Sequence, residues 1–300
     1  MWLILALCSS VFLGLYDLLK KSSLKNNSFI PVLFFATFSA ALLFCFIIIS
    51  SRTGIICSES ILYVPQIGLQ EHLLFFLKSI IVGSSWFLAY MALSKLPITI
   101  VVPIRATGPF WTLLGALFIF NERFNLLQWS GIIIILIFFY VFSLAGKKEG
   151  INFLRNKWII AIVGATILGA ASSLYDKYLL LHYNRMAVQA WFSVYMVVVL
   201  FPFLVLRWYP TRNISPTFKW RWKIPAIGLV LSIADFLYFY ALSNTDSLIA
   251  IVSVIRRSSV VISFTLGAII FKENNIKRKA LALAVIIIGV IILLIGSHSF

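Results

Sequence analysis

The chain has 300 residues, 62% of them hydrophobic and only 11% charged, with a formal net charge of +16. A soluble fold of that composition would leave large apolar surface in water, so the chain belongs in a bilayer. The positive charge does not point to nucleic acid: the basic residues crowd the ends of apolar stretches, as anionic headgroups favour, and leave no soluble basic face.

Apolar runs of about 20 residues, each long enough to cross the hydrocarbon core at 1.5 Å per residue, recur along the chain. Ten spans are expected, at roughly 2–19, 29–50, 73–94, 98–120, 125–145, 157–181, 187–208, 224–243, 247–271 and 277–297. The first lacks a basic n-region and a small-residue cleavage site, so it reads as a retained helix. It carries Ser10, Gly14 and Asp17 on one face, and span 6 repeats the stripe with Gly169, Ser173 and Asp176. Lys20 and Lys21 read as the headgroup-facing end of span 1. Span 2 is almost uniformly apolar and rich in Phe.

The segment 51–71 is the longest connection of the first half. Span 3 places Gly83, Trp86 and Tyr90 on one side, at i, i+3, i+7 spacing, and span 8 places Ser232, Asp235 and Tyr238 on the corresponding side, at i, i+3, i+6. Span 4 contains Pro103 and the Gly108-Pro109 pair. A proline inside a span frees a carbonyl that protein or water must satisfy, and broken helices at membrane depth line cavities or serve packing alone. Spans 5 and 10 are smooth and Ile-rich, suited to scaffold or to the contact face of a homodimer. Counted by loop, 17 Lys and Arg fall after the odd-numbered spans 1 to 9 and 4 after the even-numbered spans 2 to 8, which makes the first side cytoplasmic and puts both termini outside.

The chain writes part of itself twice. FLAYMALS at 87–94 returns as FLYFYALS at 236–243, and the stretch from Pro103 to Glu122 returns from Val254 to Glu273, with Arg105 on Arg256. Leu15-Tyr16-Asp17 is echoed by Leu174-Tyr175-Asp176. Hydrophobic self-similarity at about half the chain length is the mark of a two-repeat membrane carrier. The expected fold is all-α and polytopic: ten transmembrane helices as two inverted five-helix repeats, 1–149 and 150–300, forming one membrane domain.

A charge well inside the bilayer costs at least about 2.5–3.5 kcal/mol, so each needs a partner or a wet cavity. The candidates are Asp17, Asp176, Asp235, Arg105, Arg256 and Arg257. Depth along the spans pairs Asp17 with Arg105, since arginine's stem spans most of the difference in height. Repetition then pairs Asp176 with Arg256, and the extra acid and base of the second half, Asp235 and Arg257, pair with each other. These charges either clamp helices together or line a translocation path, where guanidinium forks suit a carboxylate or phosphate and an Arg with an Asp suits a zwitterion. Trp86, Tyr90, Trp111 and Tyr238 are candidate walls for an organic solute, or else packing and interfacial aromatics. Glu122 and Glu273 read as loop tethers.

No Gly-rich phosphate loop is present, so no nucleotide cofactor or other cofactor is expected. His72, His182 and His298 lie far apart, and Cys8, Cys45 and Cys57 show neither metal nor redox spacing, so no metal site, catalytic residue or disulfide framework is expected.

Ten short-looped spans, two five-helix halves, and a close of the type Gly to Glu in each half (Leu114-Gly115 to Glu122, Gly267 to Glu273) resemble the drug/metabolite transporter superfamily in its ten-helix EamA-type branch. The resemblance covers essentially the whole chain. It implies a basket of inverted repeats whose central cavity is lined by spans 1, 3, 4, 6, 8 and 9. The function expected is a secondary transporter, an exporter among the options, moving a small polar or amphipathic metabolite by alternating access, coupled to protons or a counter-substrate or running as a facilitator. A membrane-embedded enzyme and a non-transporting scaffold are the alternatives. Its expected place is the bacterial cytoplasmic membrane, as a multi-pass protein.

Overall fold

The computed structural model describes residues 2–108, 110–111, 125–127, 129–134, 137, 155–213, 216–242, 259–271 and 276–296. It is all-helical. In chain order the helices are α1 (Trp2–Leu24), α2 (Phe29–Arg52), α3 (Leu69–Lys95), α4 (Ile98–Ala106), α5 (Lys157–His182), α6 (Arg185–Phe203), α7 (Lys223–Leu242), α8 (Ser259–Phe271) and α9 (Ile276–Gly296). Five stretches among the described residues are long and apolar enough to cross a membrane: Phe29–Arg52, Leu69–Lys95, Lys157–Leu180, Arg185–Thr211 and Lys223–Ala241. Exposed Phe46, Ile49, Leu73, Ile160 and Leu281 give the outside an apolar coat that lipid would cover.

Local sequence explains several boundaries. Asn156 and Asn184 accept backbone N–H groups at the starts of α5 and α6 through their side chains, satisfying donors that would otherwise be orphaned. Within α4, Pro103 is tolerated, but the helix gives way to a turn at Thr107. The Thr107 hydroxyl donates to the Ile104 carbonyl at 2.7 Å, a local bond that competes with continued helix.

The largest helix contacts cross between the halves of the chain. α1 packs along α7 and α3 along α5; α2 meets α6 and α7; α3 meets α6; α8 meets α1 and α4; and α4 meets α5. Equating α1 with α5, α2 with α6, α3 with α7 and α4 with α8, as the sequence repeat does, maps this set of pairings onto itself. Without a hydrophobic force between helices in lipid, such packing relies on close contact, and small residues permit it. At the α2–α7 crossing a Cβ on Gly228 would fall 2.0 Å from the Ala36 carbonyl oxygen, so only glycine lets these backbones meet. The centre holds α4, whose Ile98, Ile100, Val101, Val102 and Ile104 are buried beside Tyr90.

One end of the bundle is tied by cations. Lys21 Nζ donates to the carbonyls of Leu93 and Leu96 at the end of α3. Arg221 donates to the carbonyls of Ser22 and Lys25 at the end of α1, at 2.7 and 2.8 Å. Both satisfy the negative ends of helix dipoles. Asn27 and the Lys219 backbone exchange two hydrogen bonds of 2.8 and 2.9 Å. The connections after α1, α3 and α6 therefore meet on one side. Two expectations are corrected here. Helix α1 continues through the two lysines to Leu24, and Lys20 is 2% exposed, so neither lysine is a simple headgroup contact.

Candidate functional site

Asp17 is the hub of a buried charged centre. Helical spacing puts Lys20 one turn along the same face of α1, with its Nζ 2.7 Å from Asp17 Oδ1. From α4, Arg105 Nη1 donates to the same oxygen at 3.1 Å. From α8, the Ser263 hydroxyl donates to Oδ2 at 3.2 Å. The Asp17–Arg105 pair expected from depth thus forms, and a lysine and a serine join it. Lys20 Nζ also lies 4.0 Å from the ring centre of Tyr16 and 5.5 Å from that of Tyr90, an arrangement that stabilises an ammonium away from water. Both tyrosines are buried, Tyr16 3% and Tyr90 2% exposed.

This centre borders a cavity of about 10 Å³, lined by Asp17, Lys20 and Arg105 with the apolar side chains of α3 and α4: Ala89, Leu93, Ile98, Val101 and Val102. Such a volume admits about one water molecule and no organic solute, so the site is closed in this conformation. Arg105 reaches it with 38% of its side chain exposed, against 12% for Asp17 and 3% for Lys20.

A second centre lies toward the other end of the bundle. Lys78, on α3, places its Nζ 2.8 Å from Asp176 Oδ1 on α5. The ammonium lies 4.6 Å from the Phe192 ring of α6 and 5.9 Å from the Phe239 ring of α7. Four helices converge on it. Further toward the start of α3, His72 Nδ1 sits 2.6 Å from the Tyr195 hydroxyl and its ring meets Trp191 edge-on at 4.6 Å. Lys78 and Tyr90 are twelve residues apart on α3, so the two centres stand about 18 Å apart along it.

The other candidates fall elsewhere. Asp176 is held by Lys78, a residue that the pairing by repetition had not used, whereas Arg256 and Arg257 lie outside the described residues, as do Glu122 and Glu273. Asp235 is half-buried on α7, beside Ala234, whose carbonyl accepts the Ser9 hydroxyl at 2.7 Å. Ser9 lies eight residues from Asp17, about 12 Å along α1. Trp86 packs edge-on against Phe192 at 6.2 Å, and Gly83 faces Val199 and Met196 of α6. Trp111 donates to the Thr107 hydroxyl at 3.2 Å. Tyr238 packs against Phe239 and the small contact of Ala6 with Ala241. Of the four candidate aromatics only Tyr90 joins a charged centre.

Sequence reasoning missed Lys20 and Lys78. Lys20 was masked by its neighbour Lys21 at the edge of an apolar run. Lys78 gave a usable signal, since it stands inside span 3 with Phe75, Phe76 and Leu77 before it and Ile80 and Ile81 after it. Among the described residues no group of three His, Cys, Asp or Glu gathers that could hold a metal ion.

A bundle of apolar helices, two related halves that pack mainly on each other, and charged centres buried between them define a polytopic helical membrane protein built by repetition. The model of the EamA-like transporter family matches residues 1–144 and again residues 156–295, and the chain belongs to that family. It is an integral multi-pass membrane protein among transporters of the drug/metabolite type. A solved crystal structure of a protein at 13% sequence identity superposes with a TM-score of 0.64, covering 99% of this chain and 98% of that one. At that identity the likeness is one of fold. No curated protein matches the chain.

Proposed function

We propose that the protein is a secondary carrier for a small polar or amphipathic metabolite, with Asp17, Lys20 and Arg105 at its binding site and the two halves, as inverted repeats, rocking about it. The observation that carries this reading is a buried acid-base group, drawn from α1 and α4 of one half and α8 of the other, set on a cavity between apolar walls. Three ionisable side chains at such a depth are expensive in a bilayer, and a purely structural clamp would not need an arginine whose side chain is 38% exposed. A water-sized cavity fits a closed conformation, which a carrier must visit between its two open ones. Lys78 and Asp176, joining the halves about 18 Å away along α3, supply a contact that one of those openings would break. The convergence of cation-capped helix ends on one side supports a cytoplasmic face there.

Reconstituted vesicles test the proposal. Saturable counterflow of a solute, abolished by Arg105→Gln, is the expected result; ion conductance without saturation would mean a pore, and product formation an enzyme. Flux against an imposed pH gradient reads proton coupling, and vesicles of known orientation read the direction, export or uptake.

A further inference from the structure

The chemistry of the cavity narrows what it can hold. Its described charged lining is two cations and one acid, and the acid is already engaged: Asp17 Oδ1 accepts from Lys20 and Arg105, and Oδ2 from Ser263. Three of a carboxylate's roughly four acceptor positions are thus taken, so an ammonium ligand would have to displace a partner. Arg105 is in the opposite position. Of its five N–H donors, one meets Asp17 among the described residues, and its side chain is the most exposed of the three. Lys20, 3% exposed, stands behind it and adds charge rather than reach. Asp235, the other acid on a helix packed against α1, is half-buried and is not among the residues that line the cavity. The remaining walls are aliphatic: Ala89, Leu93, Ile98, Val101 and Val102.

We propose that this cavity, when open, takes an organic oxyanion with an aliphatic body, its carboxylate or phosphate forked on Arg105 and its hydrocarbon part against α3 and α4. The inference rests on the carrier reading above and names the substrate class for it. An anion offsets the net positive charge of the three charged groups that line the cavity. The guanidinium fork binds such a group through two parallel hydrogen bonds, and the aliphatic wall rejects a second charge at the ligand's far end.

The test uses four probes of nearly one shape on the purified full-length protein: isovalerate, isoamyl phosphate, isovaleramide and isoamylamine. Binding is read by thermal shift and calorimetry. Isovalerate, isoamyl phosphate or both should bind at least ten-fold more tightly than the amide and the amine, and the ranking of the two anions identifies which head group is preferred. Arg105→Gln should weaken the preferred anion at least ten-fold, and Arg105→Lys should retain part of the affinity. Equal binding of the amide, preference for the amine, no binding of either anion, or an anion affinity unchanged in Arg105→Gln would each overturn the proposal. The series in the unmodified protein decides by itself if the variant does not fold. Counterflow separates the two readings: saturable exchange of the amine would leave the carrier standing without the oxyanion class, whereas absence of saturable flux across a metabolite screen would remove both.

Discussion

Asp17 and Asp176 occupy equivalent places in the two copies of the repeat, each after a tyrosine on the first helix of its half, yet they are neutralised differently. Asp17 takes a lysine one turn along its own helix, an arginine from α4 and a serine from the opposite half, and its side chain is 12% exposed. Asp176 takes Lys78 from a helix of the opposite half and is 30% exposed. The helix around each acid differs in the same sense: a Cβ on Gly14 would meet Ile262 Cγ2 at 2.6 Å, whereas one on Gly169 finds only Ser85 Oγ at 3.7 Å. Repetition conserved the acid and its backbone, and lateral packing chose the partner. One centre is tightly enclosed at a cavity; the other is a single ionic tie between halves.

That contrast can be broken most forcefully at Asp17. Asp17→Asn leaves two cations without their acid in a buried place, and the loss should be about 3–5 kcal/mol, read as a large fall in the thermal midpoint in detergent together with loss of flux. The same change at Asp176, which has a single cation partner and a side chain 30% exposed, should lose about 1–3 kcal/mol. Equal losses at the two sites would erase the distinction. The Lys78–Asp176 tie is sharpened by reversal: Lys78→Asp should lower the thermal midpoint, and adding Asp176→Lys should restore part of it, an effect the double-mutant cycle isolates. A pair that shows no recovery would mean that Lys78 is held by its aromatic neighbours rather than by the acid.

Packing gives a smaller test of the same difference. Gly14→Ala should lose about 1–3 kcal/mol through overpacking against Ile262, whereas Gly169→Ala should stay within about 0.5 kcal/mol; parallel thermal melts compare them directly. Smallest is the cap: Lys21→Met removes a cation from the carbonyl end of α3 and should lose about 0.3–1 kcal/mol, visible as faster amide exchange in the last turn of α3.

Much of the site was legible because depth is a one-dimensional quantity. A rise of 1.5 Å per residue sets the height of Asp17 and of Arg105 from sequence alone, and a difference that arginine's stem can span allows a pair. The direction in which each side chain points around its bundle is a different matter. Asp176 sits at a height where Lys78 and residues of several helices are within reach, and only the packing of α3 on α5 selects the lysine. Lys20 failed for another reason: averaged hydropathy treats a lysine at the edge of an apolar run as interfacial, although α1 continues a further turn and seals it beneath Tyr16 and Tyr90.

Composition and periodicity by themselves determined that this chain is a helical membrane protein made of two related halves, because apolar length and repeated motifs are properties of the chain read along its axis. They also supplied the acids, the arginine and the breaking prolines. Tertiary structure alone decided which partner each charge keeps, which glycines must stay bare, and that the cavity is walled by α3 and α4. Those are choices among neighbours at the same height, and only the sideways packing of helices ranks them.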